Sequence, residues 1–195
     1  YTPFELRLTG ALCDGENVVR VEIDGSENPG IPPFGGQIDY LTYAGIYRDT
    51  WLKLTAPVSI GTRKIETPEV LSAQKRVVAR VALDNPGEHV LSGSLTATLV
   101  DPDGADVAAT TVAVDGPEVT LALDRLDGIA LWDVDAPTLY TLRLDLDTPL
   151  GADRTETRFG FREARFTPEG FFLNGRRLKL RGLNRQMLLQ RPDDM

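Results

Sequence analysis

Apolar and polar residues alternate with a period of two along nearly the whole chain, the spacing of half-buried β-strands. Phe4, Leu6 and Leu8 fall on one side of a strand, with Glu5, Arg7 and Thr9 on the other. Val19, Val21 and Ile23 repeat the pattern, and Trp51-Leu52-Lys53-Leu54 reads as a further strand. Val77, Ala79, Val81 and Leu83 form an inward set closed by the turn Asp84-Asn85-Pro86-Gly87. Leu95, Ala97 and Leu99 form another, closed by Asp101-Pro102-Asp103-Gly104. Val112 and Val114 precede Asp115-Gly116-Pro117, and Val119, Leu121 and Leu123 follow it. Leu142, Leu144 and Leu146 alternate with Thr141, Arg143, Asp145 and Asp147. Short strands at this spacing, separated by Gly/Pro/Asp turns, predict antiparallel sheets with one buried and one solvated face. The best candidate for a helical turn is Leu123 to Ile129, and almost no α-helix is expected.

Two seams divide the chain. Thr55-Ala56-Pro57 ends a strand, because proline cannot continue ladder pairing. Around Thr155 to Phe159 an acidic composition gives way to a basic one. Between the seams lie about a hundred residues with roughly seven strand candidates, the size of an immunoglobulin-like sandwich. The first 55 residues offer about four strands and a long Gly/Pro loop, Gly25 to Gly36, too few for two complete sheets. They read as the later part of a β-domain. Near the other end, Asn174-Gly175 stands between Phe171 and Leu173 on one side and Leu178 and Leu180 on the other. Both turn positions tolerate positive φ, so a tight hairpin is predicted there.

Charge narrows the function classes. The net charge is -8, so nucleic acid and anionic membrane are not expected as partners. From Arg158 to Arg185, eight Arg/Lys face two glutamates, Glu163 and Glu169. The arginines alternate with apolar residues, which reads as strand faces or bridges to the acidic remainder rather than as a ligand patch. Cys13 is the only cysteine, so an intrachain disulfide is impossible. Its neighbours Ala11 and Leu12 predict a buried or half-buried thiol. The only histidine, His89, follows a Pro-Gly turn and reads as an exposed loop residue, without a triad or a metal set around it. A cytoplasmic location is favoured, and no membrane-spanning run occurs in the sequence.

Four motifs occur in order: Gly45-Ile46-Tyr47-Arg48-Asp49 with Trp51-Leu52; Leu131-Trp132 with Pro137-Thr138-Leu139-Tyr140; Phe159-Gly160-Phe161-Arg162-Glu163; and the hairpin Phe171 to Leu180 running into Gly182-Leu183-Asn184-Arg185. Together they resemble the glycoside hydrolase family 2 enzymes, the β-galactosidase and β-glucuronidase group. The resemblance implies an all-β chain: the C-terminal part of a jelly-roll sugar-binding domain (1–55), an immunoglobulin-like β-sandwich (56–157), and an entry hairpin with the first strand of a (β/α)8 barrel (158–195). It implies a non-catalytic section of an enzyme that hydrolyses O-glycosyl bonds, with β-galactosides as the expected substrates. No catalytic residue is assigned to this chain, because the family's two glutamates belong to later barrel strands. The resemblance implies that Asp39 contacts sugar hydroxyls beside a bound Na or Mg ion, a solvated loop acid being the alternative, and that Tyr40 and Tyr43 either flank that pocket or serve the core. The carboxylate chemistry suits both roles. For Arg48 and Asp49 a structural ion pair is favoured over ligand contact. Asn184 and Arg185 match residues at the end of the first barrel strand, where substrate-binding groups gather. The family has histidine next, where this chain has Gln186. No cofactor is required by this section. A carbohydrate is the implied partner; intact members are often homo-oligomers, and no residue here fixes such an interface. The alternative class is a non-enzymatic β-sandwich module that binds carbohydrate or serves a structural role.

Overall fold

The computed structural model describes residues 4–26, 30, 44–46 and 48–183. The chain divides into two compact units, one of which is Leu52–Gly182. This unit contains every strand among the described residues: β1 (Ser59–Glu66), β2 (Lys75–Asp84), β3 (Ser94–Val100), β4 (Asp106–Ala113), β5 (Glu118–Leu126), β6 (Tyr140–Thr148), β7 (Gly151–Phe159), β8 (Ala164–Thr167), β9 (Gly170–Leu173) and β10 (Arg176–Arg177). No described residue is helical.

The first seven strands build an immunoglobulin-like sandwich. One sheet runs β1-β2-β5 and the other β4-β3-β6-β7, with antiparallel neighbours throughout. The inward sets read from the sequence form its core. Val77, Ala79, Val81 and Leu83 face Leu95, Ala97 and Leu99, with Val119, Leu121 and Leu123 and then Leu142, Leu144 and Leu146, all of them buried. At ~25 cal/mol per Å² of apolar surface, this burial dominates what holds the unit together.

Where a helical turn was the best candidate, β5 carries a bulge instead. Lys75 pairs with Leu126 and Val77 with Leu123, so one extra residue is inserted near Arg125, which has φ +56°. The bulge turns both Leu123 and Leu126 inward, and that three-residue spacing imitates a helix in the sequence. The change from acidic to basic composition falls inside β7, not in a linker.

A polar seam closes one side of the sandwich, between edge strands of opposite sheets. The N–H of Ile60 donates to Asp153 Oδ2 (2.7 Å), and Arg63 Nε donates to Thr157 Oγ1 (2.8 Å). β7 therefore places acceptors on its half-buried positions, where β6 places leucines. Asp153→Ala leaves the Ile60 amide without its acceptor and is expected to cost about 1–3 kcal/mol in urea unfolding, with Asp153→Asn costing less. On the outer face of the larger sheet, Arg143 holds Asp106 through two contacts (3.0 and 3.1 Å), and Asp145 holds Arg154.

In the other unit the described residues are 4–26, 30, 44–46, 48–51 and 183. The strands expected at Phe4–Thr9, Val19–Asp24 and Trp51–Leu54 do not form a ladder among the described residues. Phe4 is 74% exposed and Val18 84%. Alternation specifies how a strand presents its two faces, but a ladder also needs a neighbour to pair with. Cys13 is exposed, contrary to expectation. It belongs to a turn held by Asn17, whose Oδ1 accepts from the Cys13 N–H (2.9 Å) and whose Nδ2 donates to the carbonyls of Cys13 (2.8 Å) and Gly15 (3.0 Å). The turn's hydrogen bonding, not the apolar neighbours, sets the thiol's position.

Candidate functional site

Asp39, Asn184 and Arg185 lie outside the described residues, as do Tyr40 and Tyr43. Arg48 and Asp49 are exposed, and Gly45 before them has φ +114°, as a sharp backbone bend there requires. His89 is exposed, in a loop held by Asn85, which accepts from the His89 N–H (3.0 Å) and donates to its carbonyl (2.8 Å). Among the described residues no group of His, Cys, Asp or Glu side chains could hold a metal ion. Among the described residues there is no helix long and apolar enough to cross a membrane.

The geometry concentrates instead on a clasp made by three of the sequence motifs. Asn174 and Gly175 have φ +50° and +75°, the two-residue hairpin turn expected at these positions. β8, β9 and β10 form a small antiparallel meander around it, in which Phe166 faces Phe171 with ring centroids 4.8 Å apart. The turn is tied to the sandwich through the Asn174 carboxamide. Its Oδ1 accepts from the Glu163 N–H (3.0 Å), and its Nδ2 donates to the Trp132 carbonyl (3.0 Å). The Asn174 N–H also donates to the Glu163 carbonyl (2.9 Å).

Trp132, in the segment joining β5 to β6, is half-buried and held by several contacts. Its N–H donates to the Phe161 carbonyl (2.9 Å). The Arg162 guanidinium lies 4.7 Å from its ring centroid, a cation–π contact. Gly160 leaves room for it: a Cβ there would sit 2.6 Å from Trp132 Cβ. Next to it Asp133 receives Arg176 on both oxygens (3.1 and 3.2 Å). Below the clasp, Phe161 is fully buried between Tyr140 and Phe159. Two of the eight basic residues at this end are thus bound to the acidic and aromatic groups of the sandwich, as the alternating pattern suggested.

Sequence reasoning named these motifs singly and missed that they meet. A signal was present: asparagine rather than glycine at the first turn position offers a side chain that can reach beyond the turn.

Away from the clasp, three carboxyls are held in the ionised form by hydrogen bonds. Hydrogen bonds from Ser26 hold the Asp24 carboxyl below its usual range. The Lys64 hydrogen bond, with Arg80 nearby, does the same for Glu66, and the Thr167 hydroxyl for Glu169. Carboxyls shifted in this direction stay ionised at neutral pH and are poor acids. A cavity of about 230 Å³ beside Val58, Leu91 and Pro149 is smaller than the usual small-molecule site. An open groove of about 550 Å³ is bordered by Asp101, Thr138, Thr141 and Arg158. Asp101 is already engaged there, accepting from the N–H groups of Asp103 and Ala105.

Comparison with known proteins places these features in a family. Residues 60–162 match the family model described as glycosyl hydrolases family 2. The chain is 51% identical over 185 residues to a β-galactosidase of Rhizobium meliloti, covering 95% of this chain and 24% of that protein. It is 38% identical to a β-galactosidase of Thermoanaerobacterium thermosulfurigenes, covering 95% of this chain and 27% of that one. The apo structure of β-glucuronidase 3 of Bacteroides uniformis superposes with a TM-score of 0.67 at 27% identity, over 82% of this chain and 20% of that one. The chain thus spans about a quarter of the length of the curated relatives it matches.

Proposed function

The chain belongs to the glycosyl hydrolases of family 2, and from that premise we propose that it is the non-catalytic scaffold section of an enzyme that hydrolyses β-galactosides. One observation carries the reading: the segment matched to the family, 60–162, takes in the seven sandwich strands from Ile60 onward and reaches both Trp132 and Arg162 of the clasp. The other half of the clasp follows in the hairpin. A retaining glycosidase needs two carboxyl groups about 5 Å apart, and in this reading both come from outside the 195 residues. Residues 1–55 are the later part of a jelly roll, 56–157 the sandwich, and 158–195 the lead-in to a (β/α)8 barrel.

Within that enzyme Asp39 accepts hydrogen bonds from sugar hydroxyls, and Asn184 and Arg185 contribute at the end of the first barrel strand. Asp39 also offers one hard oxygen ligand to a sodium or magnesium ion. A cytoplasmic location and assembly into homo-oligomers belong to the same proposal.

Nitrophenyl-β-galactoside hydrolysis tests it. The product of the whole coding sequence turns the substrate over, and the 195-residue chain does not. A charged acceptor for hydroxyls is worth about 1.5–3 kcal/mol, so Asp39→Ala in the whole product lowers kcat/KM by about ten- to a hundredfold. Robust turnover by the 195-residue chain would sink the scaffold assignment, and a whole product inert on β-galactosides would sink the substrate.

A further inference from the structure

We propose that Asn174 is a positioning residue, whose side chain and not whose turn conformation sets the direction in which the chain leaves the sandwich. The first central position of this turn requires positive φ, which Asn174 supplies at +50°. Glycine would meet that requirement equally well. The carboxamide does something the turn does not need. It bridges two segments far apart in sequence, the Glu163 N–H on one side and the Trp132 carbonyl on the other.

On the Glu163 side the backbone doubles the bridge, since the Asn174 N–H donates to the Glu163 carbonyl; on the Trp132 side it does not. The Trp132 N–H is already committed to Phe161. The Trp132 carbonyl therefore has the Asn174 amide as its link to the hairpin. The second link joins the exposed Arg176 (59%) to the half-buried Asp133 (28%) through a single guanidinium nitrogen, a contact of the kind that adds little to stability. β10 is only Arg176–Arg177, and after it the Leu178 N–H donates to the Phe171 carbonyl (2.8 Å). So short a strand takes its direction from what anchors the turn before it. Resting on the hydrolase reading above, the consequence is that Asn174 aligns the segment that runs on toward Asn184 and Arg185 without touching substrate itself.

Two substitutions separate the side chain from the turn. Asn174→Gly keeps the conformation and deletes the bridge. Asn174→Asp keeps the conformation and the acceptor for Glu163, but sets a carboxylate oxygen against the Trp132 carbonyl. Amide hydrogen exchange on the full chain reads the outcome directly. Both variants are expected to raise exchange in 170–178 at least tenfold at neutral pH, with β2, β3 and β6 unchanged. The carboxyl introduced by Asn174→Asp can donate again once protonated. Facing a carbonyl raises its pKa above the unfolded value of about 3.9. The bridge is therefore present below that range and lost as pH rises through the folded pKa. Hairpin protection in Asn174→Asp should recover toward wild type at acid pH, and Asn174→Gly should show no such recovery.

In the whole hydrolase, Asn174→Gly is expected to lower kcat about tenfold with KM within twofold. Unchanged hairpin exchange in both variants, or equal loosening of hairpin and core strands, would overturn the proposal. Because exchange is read on the chain itself, that result is distinct from failure of the hydrolase reading, in which the exchange pattern holds and no galactoside is cleaved.

Discussion

Phe161→Ala is expected to lower the unfolding free energy by about 3–5 kcal/mol, the range for truncating a fully buried aromatic ring. Phe161 has no exposed surface. Its ring meets Tyr140 edge to face, with centroids 5.2 Å apart and planes at 86°, and meets Phe159 at the same separation. Tyr140 is fixed in turn by its hydroxyl, which accepts from the Ala130 N–H (3.0 Å). Alanine would leave a cavity bounded by two rings that cannot both move in to fill it. The damage would reach the clasp, since the Phe161 carbonyl accepts from Trp132. Domains of this size are stable by about 5–15 kcal/mol, so about a fifth or more of the total is at stake. Thermal unfolding should shift down by about 6–20 °C at 2–4 °C per kcal/mol. Phe161→Leu, which keeps most of the volume, should cost clearly less. A loss below 1 kcal/mol for the alanine variant would mean that the sandwich and the lead-in are not joined at this ring.

The burial of Phe161 was not legible in the sequence, where it stands among arginines in a basic stretch. What was legible followed from local rules. Alternation put Val77 to Leu83, Leu95 to Leu99, Val119 to Leu123 and Leu142 to Leu146 in the core, because a strand's two faces are fixed by a period of two. Asn174-Gly175 gave its turn because positive φ at two successive positions is a rare and specific demand. Long-range facts were not legible. Alternation does not say that Asp153 on β7 serves the backbone of β1, across 93 residues of sequence. Nor does it distinguish a bulge at Arg125 from a helical turn, since both place apolar residues three apart. Cys13 is exposed because the hydrogen bonds its backbone N–H and carbonyl make with the Asn17 side chain outrank the character of its neighbours. The motifs of the clasp were each recognisable, whereas their meeting at Trp132 depends on how the sheets pack.

The second large effect is expected at Gly93, where glycine serves two needs at once. Its φ is +136°, which L-residues rarely adopt, and a Cβ would lie 2.1 Å from the carbonyl oxygen of Asp147. That oxygen is backbone and cannot swing away. It belongs to β6, where Asp147 pairs with Ser94 at the start of β3. The Gly93 carbonyl is meanwhile held by the Val114 N–H (3.0 Å), so the residue cannot retreat to the other side. Gly93→Ala must therefore strain φ and push β3 from β6 at the centre of the larger sheet. Backbone strain of about 1–3 kcal/mol and overpacking of a similar size predict a loss of about 2–6 kcal/mol. Two other glycines separate the causes. Gly104 has φ +90° with open space around its missing Cβ, so Gly104→Ala should cost only the strain, about 1–3 kcal/mol. Gly116 has open space and no positive φ, so Gly116→Ala should be neutral or stabilise by up to about 1 kcal/mol through the unfolded chain. Urea unfolding of the three variants should rank them in that order. If Gly93→Ala cost no more than Gly104→Ala, the approach of β6 to Gly93 would not be what glycine is needed for.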